Sequence, residues 1–219
     1  MTLKDFQITS KDQFNEIAEK LLTNTSLFIN DVEIEFRDIE FYWYHSSHED
    51  KSTHEHHYKA ACFRPHGAGM DITLKGPEYY GGILIRGTYV PYLGGITKEE
   101  EKYFTGPLVC KEQIFQFGNN LIEGLGEFKL GKRTTSLSKA KILGCPRVNL
   151  GKNAGDHAEE EYRFILFDPA YLKMPGVFKG GKEDQFVKWV EEGKLERKEA
   201  LMGFSYTPKR VAAAETRNK

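Results

Sequence analysis

The chain has 219 residues, enough to bury a core without disulfide or metal staples. With 39% hydrophobic and 29% charged residues and a net charge of −1, it is too apolar and too nearly neutral to be globally disordered. No stretch approaches about 18 consecutive apolar residues, and acids stand in MTLKDFQITSKDQF where a signal peptide has its apolar core, so neither a membrane span nor a leader is expected, and the expected location is cytoplasmic.

Ser10 followed by Gln13 makes a capping box, and Phe14, Ile17, Ala18, Leu21 and Leu22 recur at helical spacing, predicting an N-terminal amphipathic helix. Past a turn at Asn30-Asp31, Val32, Ile34 and Phe36 alternate with Glu33, Glu35 and Arg37, the pattern of a half-buried strand. The run Ile39 to Tyr44 continues as strand. Gly82 to Val90, stopped by Pro91, and Tyr162 to Phe167, stopped by Asp168-Pro169, are two more. Leu108 to Phe117 reads as a short helix after Gly106-Pro107, and Gln185 to Glu192 as another ending at Gly193. The tail PKRVAAAETRNK is expected to be mobile. Strands joined by long irregular connections, with few helices, predict a single α+β domain with a mixed, mostly antiparallel curved sheet.

Cys62, Cys110 and Cys145 are odd in number and lack C-x-x-C spacing, so neither a disulfide framework nor a cysteine zinc site is indicated. The small net charge hides a partition. Residues 1–128 hold 12 Lys+Arg against 20 Asp+Glu, net −8, and residues 129–219 hold 19 against 12, net +7. From Phe128 to Gly155 run Lys129, Lys132, Arg133, Lys139, Lys141, Arg147 and Lys152 with no acid between them. Such a stretch can follow a phosphate backbone. Equally, it can be a basic segment whose charge answers the acidic half of the same molecule.

His45, His48, His54, His56, His57 and His66 crowd into 22 residues with Glu49, Asp50 and Glu55. Imidazoles beside carboxylates suit zinc, iron or nickel. No helical H-x-x-x-H frame converges them, however, so a loop of hydrogen-bonded or exposed histidines fits the spacing better, and no metal or other cofactor is assigned. Glu40 is a different case, standing in a strand among Phe41, Tyr42, Trp43 and Tyr44. A carboxylate held among large aromatics is desolvated, as a general base requires. Arg86, placed late in the apolar run Ile83-Leu84-Ile85, needs an anionic partner, and Glu40 is a candidate; a purely structural pair fits the pattern as well as a catalytic one.

Together these residues resemble the alkyladenine (3-methyladenine) DNA glycosylases, of which the chain would be a divergent member. Carrying the resemblance are Glu40-Phe41-Tyr42, Glu49-Asp50 with His54, Met70-Asp71-Ile72-Thr73, and the strand from Gly82 to Arg86. Gly106-Pro107 with Cys110, Pro146-Arg147-Val148-Asn149-Leu150-Gly151, Ala154-Gly155 and Tyr162-Arg163-Phe164 follow in the same order, over about residues 27–170. The resemblance implies a glycosylase-like core over 27–170; the amphipathic helix read over 1–26 and a C-terminal extension over 171–219 lie outside it. It implies an enzyme that flips a nucleotide and cuts the bond between base and sugar, with DNA as partner, no membrane, no cofactor, and a monomeric state. Tyr42 and His54 become pocket walls, Glu40 the activator of water, and Arg86 a holder of that water. Asp71 stands where the family has an asparagine reading the base edge, and an acceptor-only group there would favour amino or protonated edges. Lys132, Arg133, Lys139, Lys141 and Arg147 become the DNA-binding set. Where the family has a longer tyrosine-rich hairpin, this chain has only Phe63 to Gly69, leaving His66 or Phe63 as the residue to wedge into the gap.

Two other functions stay open on sequence. One is a reader of modified nucleic acid on the same fold, without cleavage; the other is a metal-dependent hydrolase built on the histidine loop.

Overall fold

The computed structural model describes residues 6–30, 32–91, 102–120, 124–125, 127–135, 137, 140–150, 152–178 and 180–216. Two compact units make up the chain, one ending at Leu166 and one beginning at Phe167.

The first unit is α+β. It opens with a helix of changing pitch, a 3₁₀ turn over Lys11–Gln13, α1 (Phe14–Glu19) and a π turn over Lys20–Asn24. The capping box forms as predicted, Ser10 Oγ accepting the Asp12 N–H at 3.2 Å and Gln13 Oε1 accepting the Ser10 N–H at 3.2 Å. Phe14, Ile17, Ala18, Leu21 and Leu22 are all buried. The strands are β1 (Thr25–Ile29), β2 (Val32–His45), β3 (His48–Glu49), β4 (Phe63–His66), β5 (Gly69–Lys75), β6 (Tyr79–Val90) and β7 (Lys102–Thr105). After α2 (Pro107–Gly118) come β8 (Asn119–Asn120), β9 (Gly124–Leu125), β10 (Phe128–Lys132), β11 (Ile142–Cys145) and β12 (Arg163–Leu166).

Among the described residues, ten of these strands form one curled antiparallel half-barrel sheet, and β8 and β9 form a separate ladder. Its main path is β10-β1-β2-β6-β5-β4, with β3 and β12 also on β2, β11 on β12, and β7 on β6. The spine is the long β2–β6 pair, running from Glu35 opposite Tyr89 to His45 opposite Tyr79. On its other edge β2 pairs first with β1 and then, past Arg37, with β12.

A bulge at Arg37–Asp38 marks that exchange, and it shifts the alternation of β2 by one residue. Ile34 and Phe36 before it, and Ile39, Phe41 and Trp43 after it, therefore belong to one apolar core with Phe14. Phe14 stacks on Phe41 with ring centroids 4.5 Å apart and meets Trp43 edge-on at 6.2 Å. The opposite face of β2 carries Glu33, Glu35, Arg37, Asp38, Glu40 and Tyr42. Half-burial was the expectation from the alternation, and it is corrected here: Glu33, Glu35, Arg37, Asp38 and Glu40 are buried too. Segments distant in sequence cover them. Ser26 Oγ donates to Glu33 at 2.7 Å, the Thr134 N–H donates to Glu33 at 3.0 Å, and Arg133 and Arg37 both reach Glu35.

The second unit is helical. Asp168 caps α3 (Pro169–Lys173) by accepting from the Ala170 and Tyr171 N–H groups at 3.0 and 3.3 Å. α4 (Lys182–Glu191) ends ahead of Gly193, whose φ of +71° suits a residue without Cβ. α5 (Arg197–Met202) and α6 (Lys209–Ala213) follow. Phe186, Trp189 and Phe204 pack edge to face in its core, with the Lys182 ammonium 4.7 Å above the Phe204 ring. The tail expected to be mobile is ordered as far as it is described: α6 lies within it, and Val211 is fully buried. Among the described residues, no helix is long and apolar enough to cross a membrane.

Candidate functional site

The polar face of β2 is a row of desolvated ion pairs. Asp38 accepts a two-point contact from Arg163, Nε to Oδ1 at 2.9 Å and Nη2 to Oδ2 at 2.5 Å. Arg86 lies between Asp38 and Glu40, its Nε 4.0 Å from Asp38 Oδ2 and 3.3 Å from Glu40 Oε1, and its Nη1 donating to Glu40 Oε2 at 3.4 Å. The partnership expected between Arg86 and Glu40 is thus formed, with both residues buried. Glu40 also accepts the Tyr42 hydroxyl at 2.9 Å on Oε2 and the Val148 N–H at 3.1 Å on Oε1. Burial, and then the neighbouring Glu40 carboxylate, push the Tyr42 hydroxyl far above its ordinary pKa, so it stays a donor.

Beside this row is a cavity of about 500 Å³ lined by Tyr42, His54, Asp71, Gly81, Gly82 and Asn149, among others. Three residues singled out in the sequence as base-binding, Tyr42, His54 and Asp71, therefore meet at one place. Glu40 is fully buried behind it, and its cross-strand neighbour Leu84 lines the cavity. The Gly81-Gly82 pair is needed for these approaches. A Cβ on Gly81 would come to 2.0 Å from the Tyr42 carbonyl oxygen, and one on Gly82 to 2.9 Å from the Asp71 side chain. Asn149 holds a left-handed backbone, φ 57°, which asparagine tolerates; the same short segment gives Val148 to Glu40 and Asn149 and Leu150 to the cavity.

Asp71, which lines that space, also faces two side chains of the neighbouring strand. Arg64 Nη2 lies 3.5 Å from its Oδ2, and His66 Nε2 lies 3.1 Å from its Oδ1, near enough to pair when His66 is charged though not aligned as a hydrogen bond. Arg64 and His66 stand on β4, which pairs with β5 across the two-residue turn Gly67-Ala68, so the short segment after the histidine loop does form a hairpin.

Of the five residues assigned to DNA, Lys132 is exposed on β10 and Lys141 is half-buried, whereas Lys139 lies outside the described residues. Arg133 and Arg147 point inward. Arg133 pairs with Glu35 and donates to the Leu22 carbonyl at 2.8 Å. Arg147 donates to Asp50 at 2.6 Å and to the Phe41 carbonyl at 3.1 Å, and its guanidinium lies 4.6 Å from the centre of the Tyr42 ring. Burial works against the Asp50 charge, but the Arg147 contact, with the Ser52 N–H, outweighs it and holds the carboxyl below its ordinary pKa. The sequence singled out Asp50 and Arg147 separately; what it could not supply was their meeting behind Tyr42.

The crowded histidines go separate ways. His48 shares a 2.7 Å hydrogen bond with the Tyr162 hydroxyl and stacks on His157 at 4.0 Å, His56 donates to the Gly81 carbonyl at 2.7 Å, and His45 contacts Ser47 at 2.7 Å. Among the described residues, no three His, Cys, Asp or Glu side chains come together to hold a metal ion. Compared with known proteins, the chain matches no family model and no curated protein.

Proposed function

We propose that the protein is a DNA base-excision glycosylase that hydrolyses the bond between a flipped, modified base and its sugar. One observation carries this reading: Tyr42, His54 and Asp71 line a single cavity with the buried Glu40–Arg86 pair directly behind Tyr42. A base flipped out of the duplex stacks on the Tyr42 ring, with His54 as a second wall. As the glycosidic bond stretches, positive charge develops on the sugar, and the Glu40 carboxylate opposes it. Water adds its oxygen to the sugar carbon, its proton passes to Glu40, and the base leaves with the bonding electron pair and takes up a proton. Arg86 keeps the carboxylate oriented.

Both oxygens of Glu40 already hold hydrogen bonds, from Tyr42 and from Val148. Water must therefore replace one of them, and the Tyr42 hydroxyl is the one that a base stacking on the ring can shift. That saturation equally favours a second reading, a protein that holds a modified base without cutting it.

Base release decides between them. Purified protein is incubated with duplexes carrying alkylated or deaminated bases, and freed bases are separated by chromatography. Release by the parent with a loss of at least about 100-fold in Glu40→Gln is expected. Full rate in that variant overturns the mechanism, and binding with no release of any base establishes the reader instead.

A further inference from the structure

The cavity beside Tyr42 has a neighbour. Arg64 and His66, which line that cavity, also line an open groove of about 590 Å³ whose walls include Glu55, His57, Tyr58 and Pro65. The stretch from His54 to Tyr58 connects the two spaces. His54 lines the cavity, and Glu55, His57 and Tyr58 line the groove. Between them His56 is buried and hydrogen-bonded to the carbonyl of Gly81, a residue of the cavity wall, at 2.7 Å. One pinned loop and one strand, β4, therefore join the cavity to the groove.

The groove carries flat, stackable surfaces. Tyr58 is 49% exposed, and His57 and Pro65 are exposed as well. An aromatic ring of this kind stacks on any nucleobase, since every base has a π-face. The two residues that the sequence offered for the gap beside a flipped base are engaged elsewhere. Phe63 packs on the core with its ring 6.1 Å from Phe128, and His66 lies 3.1 Å from Asp71 while its carbonyl accepts the Lys111 ammonium at 3.0 Å. Tyr58 stands open to solvent instead. Arg64 turns one nitrogen to Asp71, at 3.5 Å, and has other N–H donors left. Because it lines both spaces, its guanidinium lies between them, the place of a phosphate that joins two consecutive nucleotides.

We propose that this groove is a second nucleobase site, holding the base next to the one in the cavity, stacked on Tyr58, with Arg64 on the phosphate between them. This rests on reading the cavity as a base site. A strand bound in this way has two consecutive bases out of the stack, so the ligand is an unpaired stretch of single strand.

The test is binding of the full chain to single strands of five nucleotides, thymidines around a central hypoxanthine on a 2′-fluoro sugar; the fluorine disfavours the cationic sugar, so the bond survives the measurement. Replacing one neighbour of the central nucleotide by an abasic sugar is expected to weaken binding about tenfold, and replacing the other to leave it unchanged. Tyr58→Ala, at an exposed position, should weaken binding of the intact strand by the same factor and abolish the effect of the missing base, whereas Tyr58→Phe should keep both. No loss with either neighbour, an effect that persists in Tyr58→Ala, or equal losses in Tyr58→Ala and Tyr58→Phe overturns the proposal. An abasic sugar at the centre keeps the two ideas apart. A loss there with none at either neighbour overturns the groove alone. A loss at one neighbour with none at the centre supports the groove and overturns the cavity as a base site, and no loss at any of the three positions overturns both.

Discussion

Asp38→Asn probes the frame that holds the candidate site. Asp38 and Arg163 are each about 1% exposed and share two contacts at 2.5 and 2.9 Å. Burial opposes the Arg163 charge, and Asp38 overrides it, leaving the guanidinium more firmly protonated than usual. Removing the anion strands that charge in a desolvated place, with a cost of about 3–5 kcal/mol. At a urea dependence of about 2–3 kcal/mol per molar, the midpoint falls by about 1–2 M. The chain has two tryptophans, so in a Trp189→Phe background the fluorescence of Trp43 reports the sheet-bearing unit alone. The double variant Asp38→Leu with Arg163→Met, which removes both charges, should recover most of the loss, because a buried pair replaced by apolar groups is close to neutral. A loss below about 1 kcal/mol in Asp38→Asn refutes the reasoning: water would then reach the pair, and Glu40, one residue beyond on the same face, would be no better desolvated.

Gly81→Ala drives a Cβ into the Tyr42 backbone, so β2 and β6 must part; a loss of about 3 kcal/mol is expected in thermal or urea unfolding. Gly82→Ala comes to 2.9 Å from the Asp71 side chain, its Cβ included, where Gly81→Ala comes to 2.0 Å from backbone, so it should cost less than Gly81→Ala while weakening ligand binding at the cavity. For pH, burial and then the adjacent His157 hold His48 below its ordinary pKa. The stabilisation is therefore full above the unfolded value of about 6.5 and declines as pH falls below it. His48→Gln should flatten stability between about pH 7.5 and 5. Asp50, also held low, acts in a separate window: its contribution is intact above about pH 4 and is lost only below, and Asp50→Asn should remove that acid limb.

Much of the site was legible because charges in apolar strands require partners. Glu40 and Arg86 stood out for that reason, and the structure joins them. The parity of β2 was legible as well, since Val32-Glu33-Ile34 and Ile39-Glu40-Phe41 alternate in opposite phase and a bulge between them reconciles the two. What local pattern could not show was the cover over the polar face, contributed by Arg133, Arg147 and Arg163 from about a hundred residues away. β4 was hidden by Pro65, which argues against a strand; it is tolerated because β4 ends the sheet path, where one edge needs no ladder N–H. α6 was hidden by the charged ends of PKRVAAAETRNK, although Val211 and Ala214 supply a buried face.

The charge partition takes on a different meaning once those arginines are placed. Arg133 meets Glu35, Arg147 meets Asp50 and Arg163 meets Asp38, so the basic half of the chain neutralises the acidic β2 region from inside. Of the seven bases between Phe128 and Gly155, at most five are left for a phosphate backbone. Each phosphate contact made by a cation steepens the dependence of log affinity on log salt by about 0.9. Lys132→Gln, at an exposed position, should therefore lower the slope by about one and leave unfolding unchanged. Arg133→Gln should do the reverse, leaving the slope intact and destabilising the sheet-bearing unit, because its guanidinium is spent on Glu35 and the Leu22 carbonyl. Measured between 50 and 300 mM salt, where about tenfold or more in affinity is at stake, a slope lowered by Arg133→Gln with stability preserved would show that this arginine leaves its buried partner to meet the nucleic acid.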